Sequence, residues 1–237
     1  MSHLIVGDGH FVGAPGEAEG WTQLLAHARA QGMTELSILG DFFELWIGLR
    51  GLEQPWHEAL FAPLRKLKQD GVRLRYVVGN KDYFVREWNE RHAVFDEVWT
   101  ESGEIDSPLG RLHLEHGDVV NRADRPYRLW RAFSRSLPVR LLARVLPRPL
   151  LARLGERVAT ALQRTNRYHK SYFPREALLA RGAALRHRAV VLVYGHFHEH
   201  HVLAIAGQQI VTLPFLGREL AGVWLSAAGV QRFDGRS

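Results

Sequence analysis

The sequence predicts an α/β fold, a sandwich rich in βαβ units interrupted by one basic helical insertion. Three observations predict it. Short apolar runs alternate with segments whose apolar residues recur at helical spacing, opening as β-α-β-α-β. Five of the apolar runs end in glycine beside Asp, His or Asn. In open α/β sheets such strand ends run out into the loops that carry active sites. Between Asn121 and Val190 the pattern turns helical and basic, with 17 Arg and Lys against three acids, a balance of +14. The rest of the chain holds 14 basic and 22 acidic residues, a balance of −8, so the net charge of +6 belongs to one segment. That asymmetry points to an anionic partner for the segment.

Leu4-Ile5-Val6 reads as the first strand and delivers Gly7-Asp8-Gly9-His10. After a Gly13–Gly20 loop containing Pro15, Trp21, Leu24, Leu25 and Ala28 form one apolar stripe, a helix that stops near Gln31-Gly32. The second strand, around Leu36 to Leu39, ends in Gly40-Asp41. A second helix runs from about Gln54 to Asp70, with Pro55 in its first turn and Gly71 after its end. The third strand, Leu74 to Val78, leads into Gly79-Asn80-Lys81-Asp82, and right-handed crossovers make these three strands parallel. Phe95 to Trp99 and Leu112 to Glu115 read as strands flanking a turn at Ser107-Pro108-Leu109-Gly110, the latter strand ending in His116-Gly117-Asp118. From Arg122 to Arg188 the reading is helical, with Leu137, Leu141, Val145, Leu150, Leu151, Leu154, Val158 and Leu162 on apolar faces and Pro138, Pro147 and Pro149 as breaks. Val190 to Tyr194 is a strand that delivers Gly195-His196-Phe197-His198. Val202 to Ala206 with Gln209 to Leu213, and Val223 to Leu225 with Val230 to Phe233, read as hairpins.

A chain of 237 residues buries a sizeable core as one domain. No apolar run approaches the roughly 18 residues of a membrane span. The chain passes from Met1-Ser2-His3 almost directly into a strand, so no secretory signal is expected and a cytoplasmic setting is. With no cysteine, neither a disulfide framework nor a thiolate metal site is available, which leaves His, Asp, Glu and Asn as metal donors.

Asp8 and His10 stand two apart at a strand end, and His196 and His198 repeat that spacing near the other end of the chain. A lone Asp-X-His is more often a loop than a ligand pair. Seven nitrogen or oxygen donors at strand ends are harder to dismiss: Asp8, His10, Asp41, Asn80, His116, His196 and His198. Two metals with four protein ligands each need eight contacts, which seven residues supply if one carboxylate bridges, and Asp41 suits that role.

Those motifs, in that order, resemble the calcineurin-like metallophosphoesterases from Leu4 to about Val202. The resemblance implies the four-layer α-β-β-α sandwich of that family, with residues 121–189 as a helical cap inserted in a single domain of residues 1–237. Gly40-Asp41-Phe42-Phe43-Glu44-Leu45-Trp46-Ile47-Gly48, Gly79-Asn80-Lys81-Asp82-Tyr83-Phe84, and His116-Gly117-Asp118 followed by Asp124 and Tyr127 are similar to the pyrophosphohydrolase family that acts on UDP-2,3-diacylglucosamine in lipid A biosynthesis. That resemblance implies two divalent ions, manganese by expectation. One would be held by Asp8, His10, Asp41 and His198, the other by Asp41, Asn80, His116 and His196. It implies attack of a metal-bridging hydroxide on the phosphorus next to the uridine, with Asp41, Asn80, His116 and His196 at the chemistry, releasing UMP and a diacylglucosamine 1-phosphate. It also implies substrate contacts from Asn80, Lys81, Asp124, Tyr127, Arg167, Lys170 and His196. Lys81 stands where that family has arginine, Gln163 and Arg167 where it has serine and asparagine, and Phe197 where it has threonine.

Interleaved Leu and Arg in the insertion suit a cap that meets an anionic inner-membrane surface on its cytoplasmic face, while a solvated basic lid is the plainer reading. Another phosphoester substrate, a phosphodiester, nucleotide or nucleic acid, is the alternative activity, with nucleic acid ranked lower because nothing resembles a base-stacking motif. A non-catalytic metal-binding scaffold is the alternative outside enzymes. Glu44 is expected either to orient a ligand or to pair with an arginine, and Asp82 and Asp118 to hold loops or histidine tautomers. His200 and His201 are expected to be solvated or to support a ligand; His3, His27, His57, His92 and His187 are expected at the surface, and Trp46 and Trp56 in the core or a pocket wall.

Overall fold

The computed structural model describes residues 2–169 and 173–235, with 159 and 161–169 described in backbone only. Strands β1 (His3–Val6), β2 (Glu35–Ile38) and β4 (Arg73–Val77) lie side by side and parallel, in the registers Leu4 with Leu36 and Leu36 with Leu74. Helices α1 (Glu17–Ala30) and α2 (Pro55–Gln69) are their crossovers. The hairpin of β12 (Ala221–Ser226) and β13 (Gly229–Asp234) extends this sheet antiparallel to β1, and β6 (Glu97–Trp99) extends it parallel to β4. The second sheet has the order β10 (His201–Ile205), β11 (Gln208–Thr212), β9 (Val191–Tyr194), β8 (Gly110–Glu115), β7 (Ser102–Ser107). A short parallel pair, β3 (Trp46–Ile47) and β5 (Asp82–Tyr83), links the loops after β2 and β4.

Alternation along the strands builds the layers, because successive side chains point to opposite faces of a sheet. Ile5 faces the core between the sheets with Leu112, Leu114, Val191, Val193 and Val211, while Leu4 and Val6 face the helices with Trp21, Leu24, Leu60 and Leu64. On the far side of the second sheet, Leu192, Tyr194 and Ile210 pack against Leu178 and Leu185 of α7 (Arg175–Leu185). The result is four layers, α-β-β-α.

Two expectations are corrected. The strand before the Ser107–Gly110 turn is β7, which pairs with β8, whereas the Phe95–Trp99 stretch supplies β6 of the other sheet. Ser-Gly-Glu-Ile-Asp-Ser has Ile105 as its one large apolar residue, buried in the core between the sheets, so it carries almost no strand signal. His3 is buried, with Nε2 2.9 Å from Ser37 Oγ, because a first strand residue in mid-sheet has no route to solvent. Burial, aided by Arg75, pushes its pKa down to about 3.

The cap comprises α4 (Arg125–Ser134), α5 (Leu137–Val145) and α6 (Arg148–His169), followed by α7, which serves as an outer layer of the sandwich. Unlike α7, α5 has no buried residue. Val85–His92 forms α3, whose Glu87 accepts from Arg140 and Arg144 of α5 at 2.7 and 2.9 Å.

Candidate metal centre

The seven donor residues lie on the loops that leave the strands at one end of both sheets, and the backbone there is unusual. Asp8, His10, Asp41, His196 and His198 have φ of 57°, 47°, 50°, 69° and 58°. Non-glycine residues rarely adopt this left-handed conformation, at a cost of order 1–3 kcal/mol each, so the surroundings must hold them. Backbone bonds between loops do this: Asp8 N–H donates to Gly40 O and His10 N–H to Asp41 O, both at 3.0 Å. Side chains complete the lacing. His196 N–H donates to Asp8 Oδ2 at 2.7 Å, and Lys81 N–H to Asp41 Oδ1 at 2.8 Å. Asp82 Oδ2 accepts from Asp41 N–H, Gly79 N–H and Tyr76 Oη at 3.0, 2.7 and 2.7 Å.

Glycine allows the loops to approach this closely. A Cβ on Gly79 would stand 2.3 Å from Asp41 Oδ1, and one on Gly40, itself at φ 78°, would stand 2.5 Å from Gly79 Cα.

Two clusters result. In the first, His10 Nε2 and His198 Nε2 are 3.2 Å apart and lie 3.8 and 3.2 Å from Asp8 Oδ1. In the second, Asp8, Asp41 and His116 bring donor atoms together, with His116 Nε2 3.6 Å from Asp41 Oδ2. Asn80 Oδ1 lies 2.9 Å from His116 Nε2 and 3.0 Å from His196 Nδ1. The structure therefore brings all seven donors into one site, with Asp8 common to both clusters and Asp41 facing the second.

The donors fit divalent cations. Asp8 Oδ1 is buried without a hydrogen-bond partner and faces two imidazole nitrogens, an arrangement that a cation satisfies. His116 Nδ1 donates to Leu39 O at 2.7 Å, which turns the Nε2 lone pair toward Asp41 and Asn80. His10 Nδ1 lies 3.1 Å from Glu44 Oε2, and Lys81 Nζ bonds Glu44 Oε1 at 2.6 Å, so Glu44 directs the His10 Nε2 lone pair inward.

The electrostatics point the same way. Burial opposes ionisation of Asp8, but the imidazoles of His198, His10 and His116 hold its carboxyl well below the usual range. Burial also opposes charge on His116, yet Asp41, Asp8 and Asp118 push its pKa up to about 9. His196 goes to about 4, through burial and the neighbouring His116. A single pocket thus holds clustered carboxylates that demand positive charge beside a histidine that stays neutral.

The expected substrate residues are placed more variously. Lys81 is buried and its ammonium donates to Glu44, with His10 Nδ1 standing 3.1 Å away. Asp124 caps α4, accepting from Tyr127 N–H at 3.0 Å, and Tyr127 Oη donates to Asp118 Oδ2. Lys170 and the side chain of Arg167 lie outside the described residues. Of the two roles open to Glu44, orienting a donor is the one seen, although it also takes a lysine as ion partner. Asp82 holds loops, Asp118 binds the cap, and Trp46 is core. His200 Nδ1 is satisfied by Thr212 O at 2.9 Å, and His201 Nε2 lies 3.1 Å from Glu199.

Sequence reasoning missed the ties between cap and site. Arg131 Nε donates to Asp118 Oδ2 at 2.9 Å, and Arg135 donates to Gly79 O at 2.5 Å, beside Asn80. Nothing in a run of interleaved Leu and Arg distinguishes these two arginines from their neighbours.

Comparisons with known proteins agree with this geometry. The model of a family described as calcineurin-like phosphoesterase matches residues 1–200. The UDP-2,3-diacylglucosamine hydrolase of Stenotrophomonas maltophilia (strain K279a) is 27% identical over 245 residues, covering 99% of this chain and 95% of that one. The protein of the same name from Edwardsiella ictaluri (strain 93-146) is 26% identical over 242 residues, covering 99% and 89%. Among solved structures, an archaeal phosphodiesterase aligns over 99% of both chains with a TM-score of 0.54 at 10% identity, a likeness of fold.

Proposed function

This chain belongs to the calcineurin-like phosphoesterases, and we propose that it hydrolyses the pyrophosphate of UDP-2,3-diacylglucosamine, releasing UMP and the acylated sugar 1-phosphate. The observation that carries this reading is the length of the likeness. Relatives named for that substrate match 99% of the chain, cap included, and not the phosphoesterase core alone.

The family uses divalent metals, and in this reading Asp8, His10, Asp41 and His198 would hold one ion and Asp41, Asn80, His116 and His196 the other, with manganese the ion that the resemblance implies. When bound, such ions neutralise charge on phosphoryl oxygens and lower the pKa of water. The chain's own residues do the rest. Asn80 turns its carbonyl toward the two histidines, which leaves its amide N–H groups to donate to a phosphate oxygen. Glu44 and Lys81 fix His10, and Arg135 fixes the Gly79 carbonyl, so the loops do not have to reorganise as charge develops.

The cap supports an assignment to lipid. Leu129, Phe133, Leu137 and Val145 are 73%, 61%, 65% and 77% exposed, an apolar surface interleaved with arginines. Such a surface suits docking to an anionic membrane, on the cytoplasmic face of the inner membrane in this reading. No helix among the described residues is long and apolar enough to cross a membrane.

The experiment is turnover with manganese of UDP-2,3-diacylglucosamine, deacylated UDP-N-acetylglucosamine and a generic phosphodiester. The reading expects strong preference for the acylated nucleotide with UMP as product. Equal turnover of all three, or of the generic ester alone, would discard the substrate while keeping the metal site. Flotation with anionic vesicles, reduced by Leu137→Asp and Val145→Asp, tests the membrane assignment.

A further inference from the structure

Between α4 and α7 lies a groove of about 1210 Å³ whose described lining carries none of the seven metal donors, so a ligand seated there is bound and not cleaved. One wall is a face of α4 with Arg125, Arg128 and Leu129, and Arg122 stands just before that helix. The other wall is α7, which turns Ala177, Ala180 and Ala184 to the groove while its Leu178 and Leu185 are buried on the sheet.

The arginines of the lining spend their charge differently. Arg131 pairs with Asp118 and Arg181 with Glu115, each at 2.9 Å. Arg122, Arg125 and Arg128 are exposed and form no ion pair with a carboxylate among the described residues. Arg128 Nη1 donates to Arg122 O at 3.4 Å, which holds its guanidinium against the backbone of a second cationic residue. Glu101 is the single acid on the described lining. Unpaired guanidinium groups on one concave wall repel one another, and an anion between them relieves the repulsion. Guanidinium also matches a pair of phosphate oxygens in a two-pronged geometry.

The rest of the lining narrows the choice of anion. Leu129 is exposed at the groove, and the exposed Phe133 follows one turn later on α4. The alanine side chains of α7 offer methyl groups and no hydrogen-bond partners. No aromatic residue is on the described lining, so a nucleic-acid base has nothing to stack on there. The volume exceeds the roughly 300–1,000 Å³ of ordinary small-molecule sites, far more than a free phosphate ion fills. A phosphate joined to apolar chain is the chemistry of an anionic phospholipid.

We infer that this groove is a headgroup site for an anionic phospholipid, with the phosphate on Arg125 and Arg128 and the chains leaving across Leu129 and Phe133. A lipid held there fixes how the cap sits on a bilayer, which exposed apolar residues alone do not. The inference rests on the membrane reading above, which the test separates from it.

The test is calorimetric titration of dihexanoylphosphatidylglycerol, kept below its micelle concentration, into the full chain. Dihexanoylphosphatidylcholine, inorganic phosphate and a single-stranded oligonucleotide are the comparison ligands. The proteins are wild type, Arg125→Ala/Arg128→Ala, Ala180→Phe and Arg153→Ala/Arg157→Ala, the last removing the same charge from α6 outside the groove. All the altered side chains are exposed, so melting temperatures should not change. Saturable binding of the phosphatidylglycerol is expected, about fivefold or more tighter than the phosphatidylcholine, whose ammonium the arginines repel. Each charged hydrogen bond lost in Arg125→Ala/Arg128→Ala should weaken it by about tenfold or more. Ala180→Phe, which fills the groove without changing its charge, should weaken it too, and Arg153→Ala/Arg157→Ala should not. No saturable binding by wild type, equal loss in the two arginine variants, or phosphate or oligonucleotide held more tightly than the lipid overturns the assignment. Flotation with phosphatidylglycerol vesicles, measured in parallel, separates the two readings. Wild type that floats yet binds no short-chain lipid sinks the groove alone, whereas short-chain lipid held by the arginines without flotation sinks the membrane reading alone.

Discussion

Asp82 carries no chemistry, yet the site depends on it. Its Oδ2 accepts three hydrogen bonds at once, from Asp41 N–H, Gly79 N–H and Tyr76 Oη, and its side chain is buried. Asp82→Ala strands three buried donors. At about 1–3 kcal/mol each, the gross cost is about 3–9 kcal/mol before relaxation. The native carboxylate is itself held at a cost: burial and the charge of Asp41 push its pKa up to about 6 from 3.8. At about 1.36 kcal/mol per unit, ionisation at neutral pH costs about 3 kcal/mol. Asp82→Ala should therefore lose about 3 kcal/mol less than the gross figure, about 0–6 kcal/mol. Asparagine keeps one oxygen for the three donors and puts its amide where Asp82 Oδ1 has no partner, so Asp82→Asn should stay within about 1 kcal/mol. Because the folded pKa is raised, the native group's contribution is complete below about pH 4 and is lost as pH rises through about 6. The asparagine variant should lack that dependence. Urea unfolding of both variants and wild type between pH 4 and 7.5 measures these differences. Asparagine as damaging as alanine, or an asparagine variant that keeps the pH dependence of wild type, would refute the reasoning.

Three further outcomes follow from the same geometry. Asp41→Asn should lower turnover by at least about 10³-fold, since several kcal/mol of charge stabilisation is at stake, with reduced metal content by atomic absorption and an unchanged far-ultraviolet spectrum. Gly79→Ala should displace Asp41, whose Oδ1 would stand 2.3 Å from the new Cβ, and so lower metal content and turnover together, whereas retained metal would contradict the contact. His3, at a folded pKa of about 3 through burial and Arg75, is neutral when folded and charged when unfolded between that value and 6.5. Its contribution is present above about pH 6.5 and falls by on the order of 4–5 kcal/mol as pH drops toward 3, a slope that His3→Val should remove in acid unfolding.

The β-α-β-α-β opening was legible because each of its elements has a local signature. Leu60, Phe61, Leu64 and Leu67 repeat at helical spacing on α2, Pro55 begins it, and strands such as Val191–Tyr194 are unbroken apolar runs. The candidate donors drew attention in the same way, since each stands in a glycine-bearing motif where a strand runs out. Less visible was β7, whose polar residues are strand only because β8 offers its edge. His3 read as surface because nothing local tells a first strand residue that β2 and β12 will flank it.

Linear order carries element type, candidate metal donors and the basic character of the insertion, all properties of a few neighbouring residues. It carries neither where side chains meet nor what they spend their charge on. That Asp8 stands between His10 and His198, that Lys81 is taken up by Glu44, and that Arg131 and Arg135 fasten the cap to the donor loops are consequences of contacts between residues up to 188 positions apart. The five left-handed donor residues make the physical reason plain. Each is locally unfavourable and persists only because loops from other strands hold it, and that support exists only once the two sheets are packed.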